Sequence, residues 1–227
     1  MTFQLLPLEE SDVPNMMNLI WEAHNGEERF KVLYTNGRTP EIRAHQIKQI
    51  LDEWREHPER HKYMKVIDTA LPDDDPLGKL VGTSHWDFRA HERTAADLAE
   101  QEKKRANPAP PPPGVNVEAG KAVRKSINDA REMLAGSKAH VYLVGLSTRP
   151  SYHRKGVGSL HLRWGLGEAD RLGLPSYLSA THMGVPLYKK HGFETVAPFK
   201  LDPEMFGEDS PLNGECMYRP ARPATAT

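Results

Sequence analysis

The sequence predicts an α/β (α+β) domain in which strands and helices alternate, and three observations lead there. Short apolar runs that suit strands stand at Leu5 to Glu9, His61 to Asp68, Lys79 to Phe88, His140 to Ser147 and Pro175 to Ala180, and Phe193 opens another. Segments of helical period lie between them. A chain of 227 residues with a formal net charge of -1 is long enough to bury one sizeable core.

Along the chain, Leu5 to Glu9 is the first strand. Ser11 or Asp12 then caps a helix whose face is Val13, Met16, Met17, Ile20 and Trp21. Pro40 to His57 gives a second helix through Ile42, Ile47, Ile50, Leu51 and Trp54, and His61 to Asp68 and Lys79 to Phe88 follow as a strand hairpin. The acidic turn Asp73-Asp74-Asp75-Pro76 separates those strands. His57 and His61 are four apart, but Pro58 breaks a shared helical face and no third ligand is evident. Both are read as surface residues, and no metal is expected.

His91 to Ser137 reads as an insertion. Glu92 to Arg105 is alanine-rich and charged, Pro108 to Pro113 is a stiff extended spacer, and Val117 to Leu134 is a helix ending at Gly136.

His140 to Ser147 is rich in branched and aromatic residues, as in a strand buried on both faces. Arg149-Pro150 ends it, and a helix begins at about Gly156 and runs to near Gly173. Its apolar residues form two stripes, Val157, Leu160 and Trp164 on one and Leu162, Leu166 and Ala169 on the other. First-turn N–H groups without helical partners, plus the macrodipole, make such a helix start a site for an anion. Gly156 and Gly158 carry no side chain to hold a pyrophosphate away, and Arg154 and Lys155 add positive charge. A Rossmann fingerprint would need a third glycine near Leu160, and the Gly-Lys-Ser/Thr of a P-loop is missing. Pro175 to Ala180 is the next strand, and Val185 to His191 a short helix stopped by Gly192.

At this point the chain resembles the GNAT superfamily of acetyl-coenzyme A dependent N-acetyltransferases. The family's Gln/Arg-x-x-Gly-x-Gly/Ala signature corresponds to His153 through Gly158, and its Phe/Leu-Tyr-x-x-x-Gly-Phe signature to Leu187 through Phe193. His153 departs from the usual Gln or Arg. The resemblance implies the GNAT fold: a central mixed, mostly antiparallel, twisted sheet of six to seven strands flanked by helices. Residues 1–227 then form one domain, with residues 91–137 inserted between the third and fourth core strands near the acceptor side.

The resemblance also implies acetyl-CoA as acetyl donor. It places Leu146, Ser147 and Thr148 beside the pantetheine arm, with a backbone N–H near Leu146 aimed at the thioester oxygen. His153, Arg154, Lys155, Gly156, Val157, Gly158 and Ser159 fall at the pyrophosphate, and Thr181 at the end of the following strand. Tyr188 matches the tyrosine that approaches sulfur as general acid. A phenol near pKa 10 giving its proton to a thiolate near 8.5 is uphill by about 2 kcal/mol, so an unperturbed Tyr188 donates a hydrogen bond only.

The base is less legible. A lysine amine near pKa 10.4 is neutral in about one molecule in 2,500 at pH 7, whereas an α-amine near 8 costs only about 1 kcal/mol to deprotonate. Some family members carry a glutamate on the fourth strand, and Val141 to Ser147 has no acid. His85 is the first candidate, with Asp87 and His182 behind it. This absence favours a small or weakly basic amine. A peptide or protein N-acetyltransferase and a coenzyme A binding module without catalysis are the alternatives. The segment from His24 to Thr39, with Phe30, Tyr34 and Gly37, stands at the family's acceptor loop, and Asp202, Glu204, Glu208 and Asp209 make a later loop acidic.

The near-zero net charge gives no reason to expect nucleic-acid binding, and no apolar stretch is long enough to span a membrane. One cysteine, Cys216, excludes an internal disulfide and suits a cytoplasmic or nuclear protein. A homodimer stays open as a partner assignment.

Overall fold

Seven strands form one sheet: β1 (Phe3–Pro7), β2 (His61–Asp68), β3 (Leu80–Arg89), β4 (His140–Thr148), β5 (Ser176–Thr181), β6 (Glu194–Phe199) and β7 (Gly214–Arg219). They lie in the order β1-β2-β3-β4-β5-β7-β6, and every neighbouring pair is antiparallel except β4 with β5. The computed structural model describes residues 2–25, 28–106, 111–207, 210 and 213–222. Pro108, Glu208 and Asp209, which the sequence reading singled out, lie outside them.

The helices are α1 (Val13–Ala23), α2 (Glu28–Leu33), α3 (Pro40–Glu56), α4 (Ala95–Ala106), α5 (Val117–Ala135), α6 (Val157–Arg171), α7 (Val185–Lys190) and the single turn α8 (Pro203–Phe206). Their starts follow local chemistry. The Thr39 hydroxyl accepts from the Ile42 N–H, and the Asn116 side chain accepts from the Ala119 N–H, so each satisfies a first-turn donor that the helix leaves open. A 3₁₀ turn over Glu10–Asp12 precedes α1, and Asp12 answers the Glu9 N–H at 2.8 Å rather than capping α1 through its side chain.

Alternation along β3 sorts the two faces of the sheet. Gly82, Ser84 and Trp86 face α6: a Cβ on Gly82 would meet Val157, and one on Gly165 would fall 2.2 Å from the Trp86 ring. The buried core on that side includes Trp86, Val141, Leu143, Leu162, Leu166 and Met217, each contributing about 1.5–3 kcal/mol over exposure. The other face carries Tyr63 and Leu80 against α1 and α3, with Val13, Met16 and Leu19 fully enclosed. Leu19 takes the buried place that the sequence pattern gave to Trp21, whose indole instead donates to Gln46 at 3.0 Å.

The inserted segment crosses from β3 to β4 on the α1 face. There α5 packs on β5 and β7, burying Ala119, Ala130 and Ala135.

Candidate active site

β4 and β5 are paired only at Val141 with Ser176, Tyr142 with Tyr177 and Leu143 with Leu178. Beyond those pairs β4 continues along β3 to Thr148 while β5 continues along β7 to Thr181, so two adjacent strands part and leave a gap. The register with β3 slips at the same point. His85 pairs with Gly145 but Trp86 pairs with Leu143, which leaves Val144 bulged out of the ladder. Val144 is 39% exposed and a Cβ on Gly145 would meet nothing within 4 Å. The apolar run is therefore buried on both faces only through Leu143, because the bulge turns the rest of the strand towards open space.

At the far end of β4 stands the start of α6. Gly156 sits at φ +91°, a left-handed backbone that suits glycine, and space around its Cα is empty. Arg154 also has a positive φ, +63°. Gly158 serves packing: a Cβ there would lie 2.9 Å from Leu187 of α7. Val157 points into the core against Val66 and Val81, so only its backbone faces the helix start. The Ser159 hydroxyl pairs with His191 Nε2 at 3.0 Å, tying α6 to the end of α7. His153 Nε2 lies 3.1 Å from the Thr148 carbonyl and donates to it, closing the loop between β4 and α6. Lys155 rests over the Tyr152 ring at 4.7 Å.

Tyr188 on α7 is 9% exposed and packs edge-on to Phe193, with its ring against Gly184. Burial pushes its phenol above the ordinary range, so it is a poorer acid than free tyrosine. Thr181, at the end of β5, pairs with Gly214 and accepts from the Gly184 N–H that leads into α7.

The α1 face beside Gly145 carries the polar groups. His85 Nε2 lies 2.9 Å from His61 Nδ1, and the His85 ring stacks on Tyr63 at 4.1 Å. Burial pushes His85 down to about 3, so it is neutral near pH 7. His61 is not a surface residue: it is 2% exposed, because β2 begins at His61 and turns the ring inward, and its Nε2 is 3.6 Å from Glu53 Oε1. Asp87 is not a base. Arg60 binds both its oxygens at 3.0 Å and Arg89 adds a bond at 3.1 Å, holding the carboxyl down at about 2 despite burial. His182 is exposed on the loop before α7.

Further along β4, His24 lies 3.3 Å from the Ser147 hydroxyl. The segment after α1 is fastened to the insertion: Asn116 N–H donates to the Leu33 carbonyl at 2.8 Å, Thr35 N–H to Gly114, and Tyr34 bridges Val115. Tyr34 also accepts from Gln46 at 2.7 Å, and the Phe30 side chain lies outside the described residues. Asp202 caps α8, accepting from the Glu204 N–H. Among the described residues no cluster of metal-ligating side chains occurs.

Residues 117–193, from the first residue of α5 to Phe193, match the model of the Acetyltransferase (GNAT) family. That match covers the stretch from α5 to Phe193. A curated protein named "Probable acyltransferase SID5", from Ajellomyces capsulatus, is 39% identical over 44 residues, which is 19% of this chain and 32% of that protein. The chain thus spans about a third of the length of that relative. Arylalkylamine N-acetyltransferase 2 from Aedes aegypti superposes with a TM-score of 0.65 at 10% identity, covering 98% of this chain and 100% of that one. A structure of histone acetyltransferase HPA2 and related acetyltransferase from Corynebacterium glutamicum gives 0.58 at 19% identity, covering 100% of each chain. These likenesses establish the GNAT fold.

Of the residues named from the sequence, Gly158 lies against Leu187 and Leu146, and Leu146 and Leu187 pack on the same core as Tyr188. The contacts that three residues make along β4 escaped sequence reading. Arg149 anchors the end of β4 to Asp75 at 3.0 Å, and that carboxylate also accepts from the Leu77 and Lys79 N–H groups. His24 and Arg131 arrive from α1 and α5, and no local spacing links them to β4. The glycine inside the apolar run at 145 was a readable sign of the bulge.

Proposed function

We propose that the chain is an acetyl-CoA-dependent N-acetyltransferase that moves the acetyl group to a primary amine of a small molecule, by direct attack in a ternary complex. The observation that carries this reading is the gap between β4 and β5, which runs from the bulge at Val144 to the glycine-bounded start of α6 and is flanked by Tyr188.

The residues present fit acetyl-CoA. First-turn N–H groups at 156–159 with about half a positive charge from the macrodipole suit a pyrophosphate, and the open space at Gly156 admits it. The backbone of Leu146, Ser147 and Thr148 beyond the β5 pairing is where an extended pantetheine arm finds amide partners. A backbone N–H at Leu146 serves as oxyanion donor.

In the reaction the amine nitrogen forms a bond to the acetyl carbon and the carbon–sulfur bond breaks. The thiolate accepts a hydrogen bond from Tyr188 and is completed as a thiol by a proton from solvent. The nitrogen's proton goes to His85. A histidine held near 3 does not retain a proton at pH 7, so His85 passes its own Nε2 proton to His61 and on towards exposed Glu53. With so weak a base the amine itself bears the cost of losing its proton, about 1 kcal/mol for a pKa near 8 and about 4–5 kcal/mol for one near 10.4.

The acceptor side is walled by α5 and by the segment after α1 that is fastened to it, which favours a small amine over a peptide lying in an open groove. Thiol release from acetyl-CoA, read with panels of small amines and of short peptides, tests this. Release with small amines supports the reading, and release with peptides alone replaces it by a peptide N-acetyltransferase.

A further inference from the structure

Arg131 stands out as a cation without an ion pair among the described residues. It projects from α5 over the Tyr142 ring, its guanidinium carbon 4.3 Å from the ring centre, and Tyr142 is fixed in turn by Ser179 at 2.9 Å. Its Nε is buried without a hydrogen-bond partner, and among the described residues it makes no ion pair. The acids around it are engaged elsewhere: Glu132 with Arg93 at 3.0 Å, Asp129 with Lys125 at 2.6 Å, and Asp87 with Arg60 and Arg89. Asp87 and His85 both feel the Arg131 charge, which helps lower each. Arg60 and Arg89 thus hold the Asp87 carboxylate between them, while Arg131 reaches it through its field alone.

A partly desolvated guanidinium is costly without a partner, and stacking on a tyrosine offsets only about 0.5–2 kcal/mol. Its planar fork matches a carboxylate in two parallel bonds. Helical side chains lean towards the helix N-terminus, which for α5 is the end fastened to Leu33, and the ring beneath Arg131 belongs to the strand residue three before the open Gly145.

The geometry points to an acceptor that carries a carboxylate as well as its amine, the carboxylate held by Arg131 and the amine presented at Val144 and Gly145. This rests on reading the β4–β5 gap as an acetyl-transfer site. Two to three residue rises separate Tyr142 from that point, roughly 7–10 Å. The guanidinium stands a further 4.3 Å off the Tyr142 ring, so the test varies the carbon chain between nitrogen and carboxylate.

The test uses glycine, β-alanine and γ-aminobutyrate, each beside its amide, with wild type, Arg131→Gln and Arg131→Lys. The wild type is expected to favour at least one acid over its amide tenfold or more in kcat/KM. Arg131→Gln should bring that ratio near one through KM with kcat held, and Arg131→Lys should recover part of it. Calorimetric binding of the best acid to the coenzyme A-saturated protein should follow the same order, while acetyl-CoA affinity stays unchanged in all three. Equal use of acids and amides, a preference that survives Arg131→Gln, or no binding of any of the acids overturns the proposal. A preference for succinyl-CoA over acetyl-CoA that Arg131→Gln removes also overturns it, by placing the carboxylate on the donor. Failure of the wild type to bind acetyl-CoA sinks the acetyl-transfer reading instead.

Discussion

His61 and His85 join across the β2–β3 ladder, Nδ1 of the first 2.9 Å from Nε2 of the second, although the register pairs His85 with Tyr63. The contact is diagonal, and it leads from the opening beside Gly145 to Glu53 at the protein surface.

If His85 takes the amine proton and His61 carries it onward, His61→Phe removes the way out without touching acetyl-CoA. Turnover is expected to fall at least tenfold with acetyl-CoA affinity unchanged. His61→Gln, which keeps a hydrogen bond but cannot relay, should fall as far. Steady-state kinetics beside calorimetry reads both, and an unaffected kcat in either variant would remove the relay.

Tyr188→Phe keeps the ring that packs on Phe193 and Gly184 and deletes the hydroxyl. One hydrogen bond made only as sulfur gains charge corresponds to a loss of about 10- to 100-fold in kcat. Because burial raises the phenol, it stays protonated to above pH 10, and the loss should be the same at pH 7 and pH 9. Equal loss of turnover and of acetyl-CoA binding would assign Tyr188 to packing alone.

Stability should fall in acid ahead of the carboxylates. His85 and His161 are both pushed down to about 3 by burial, whereas the unfolded chain binds those protons near 6.5. Their contribution is present above about pH 6.5 and is lost as pH falls towards 3, at about 1.4 kcal/mol per pH unit for each. Urea titrations at pH 7, 6 and 5 should show the decline, and His161→Gln should reduce its slope between pH 6 and 5, the rest coming from His85 and from His61, His140 and His191, which burial also lowers. A flat profile there would mean that both rings accept a proton in the folded protein.

Gly165 sets how closely α6 approaches the sheet. The Trp86 indole that fills its place cannot swing aside, since Nε1 donates to Ser84 Oγ at 3.0 Å and that hydroxyl meets His161 at 2.9 Å. Gly165→Ala, with a Cβ 2.2 Å from the ring, is expected to cost about 1–3 kcal/mol despite alanine's better helix propensity. Chemical denaturation reads it, and an unchanged midpoint would show that α6 is free to shift.

Much of this architecture was legible because local chemistry encodes it. The strand His61–Asp68 and the helix starting at Pro40 lie where their apolar pattern placed them, and the turn at Gly156 follows from a conformation that suits glycine. The strand Gly214–Arg219 was missed, since Gly-Glu-Cys-Met-Tyr-Arg alternates poorly after an irregular approach. The six-residue helix Glu28–Leu33 is too short to show a period. At the site, the glycine turn and Tyr188 are signatures within one stretch of chain. His61 beside His85, Ser147 beside His24 and Arg131 over Tyr142 are products of strand pairing and helix docking, which no local pattern records.

The most direct test of acetyl-CoA binding in the β4–β5 gap is calorimetric titration of wild type and Gly156→Glu. The variant puts a carboxylate into the open space at the start of α6 and strains a backbone at φ +91°, which costs about 1–2 kcal/mol of stability. One-to-one micromolar binding to the wild type, weakened at least a hundredfold in a variant that still unfolds cooperatively, is the predicted result. No binding to the wild type, or equal affinity in the two proteins, would contradict it.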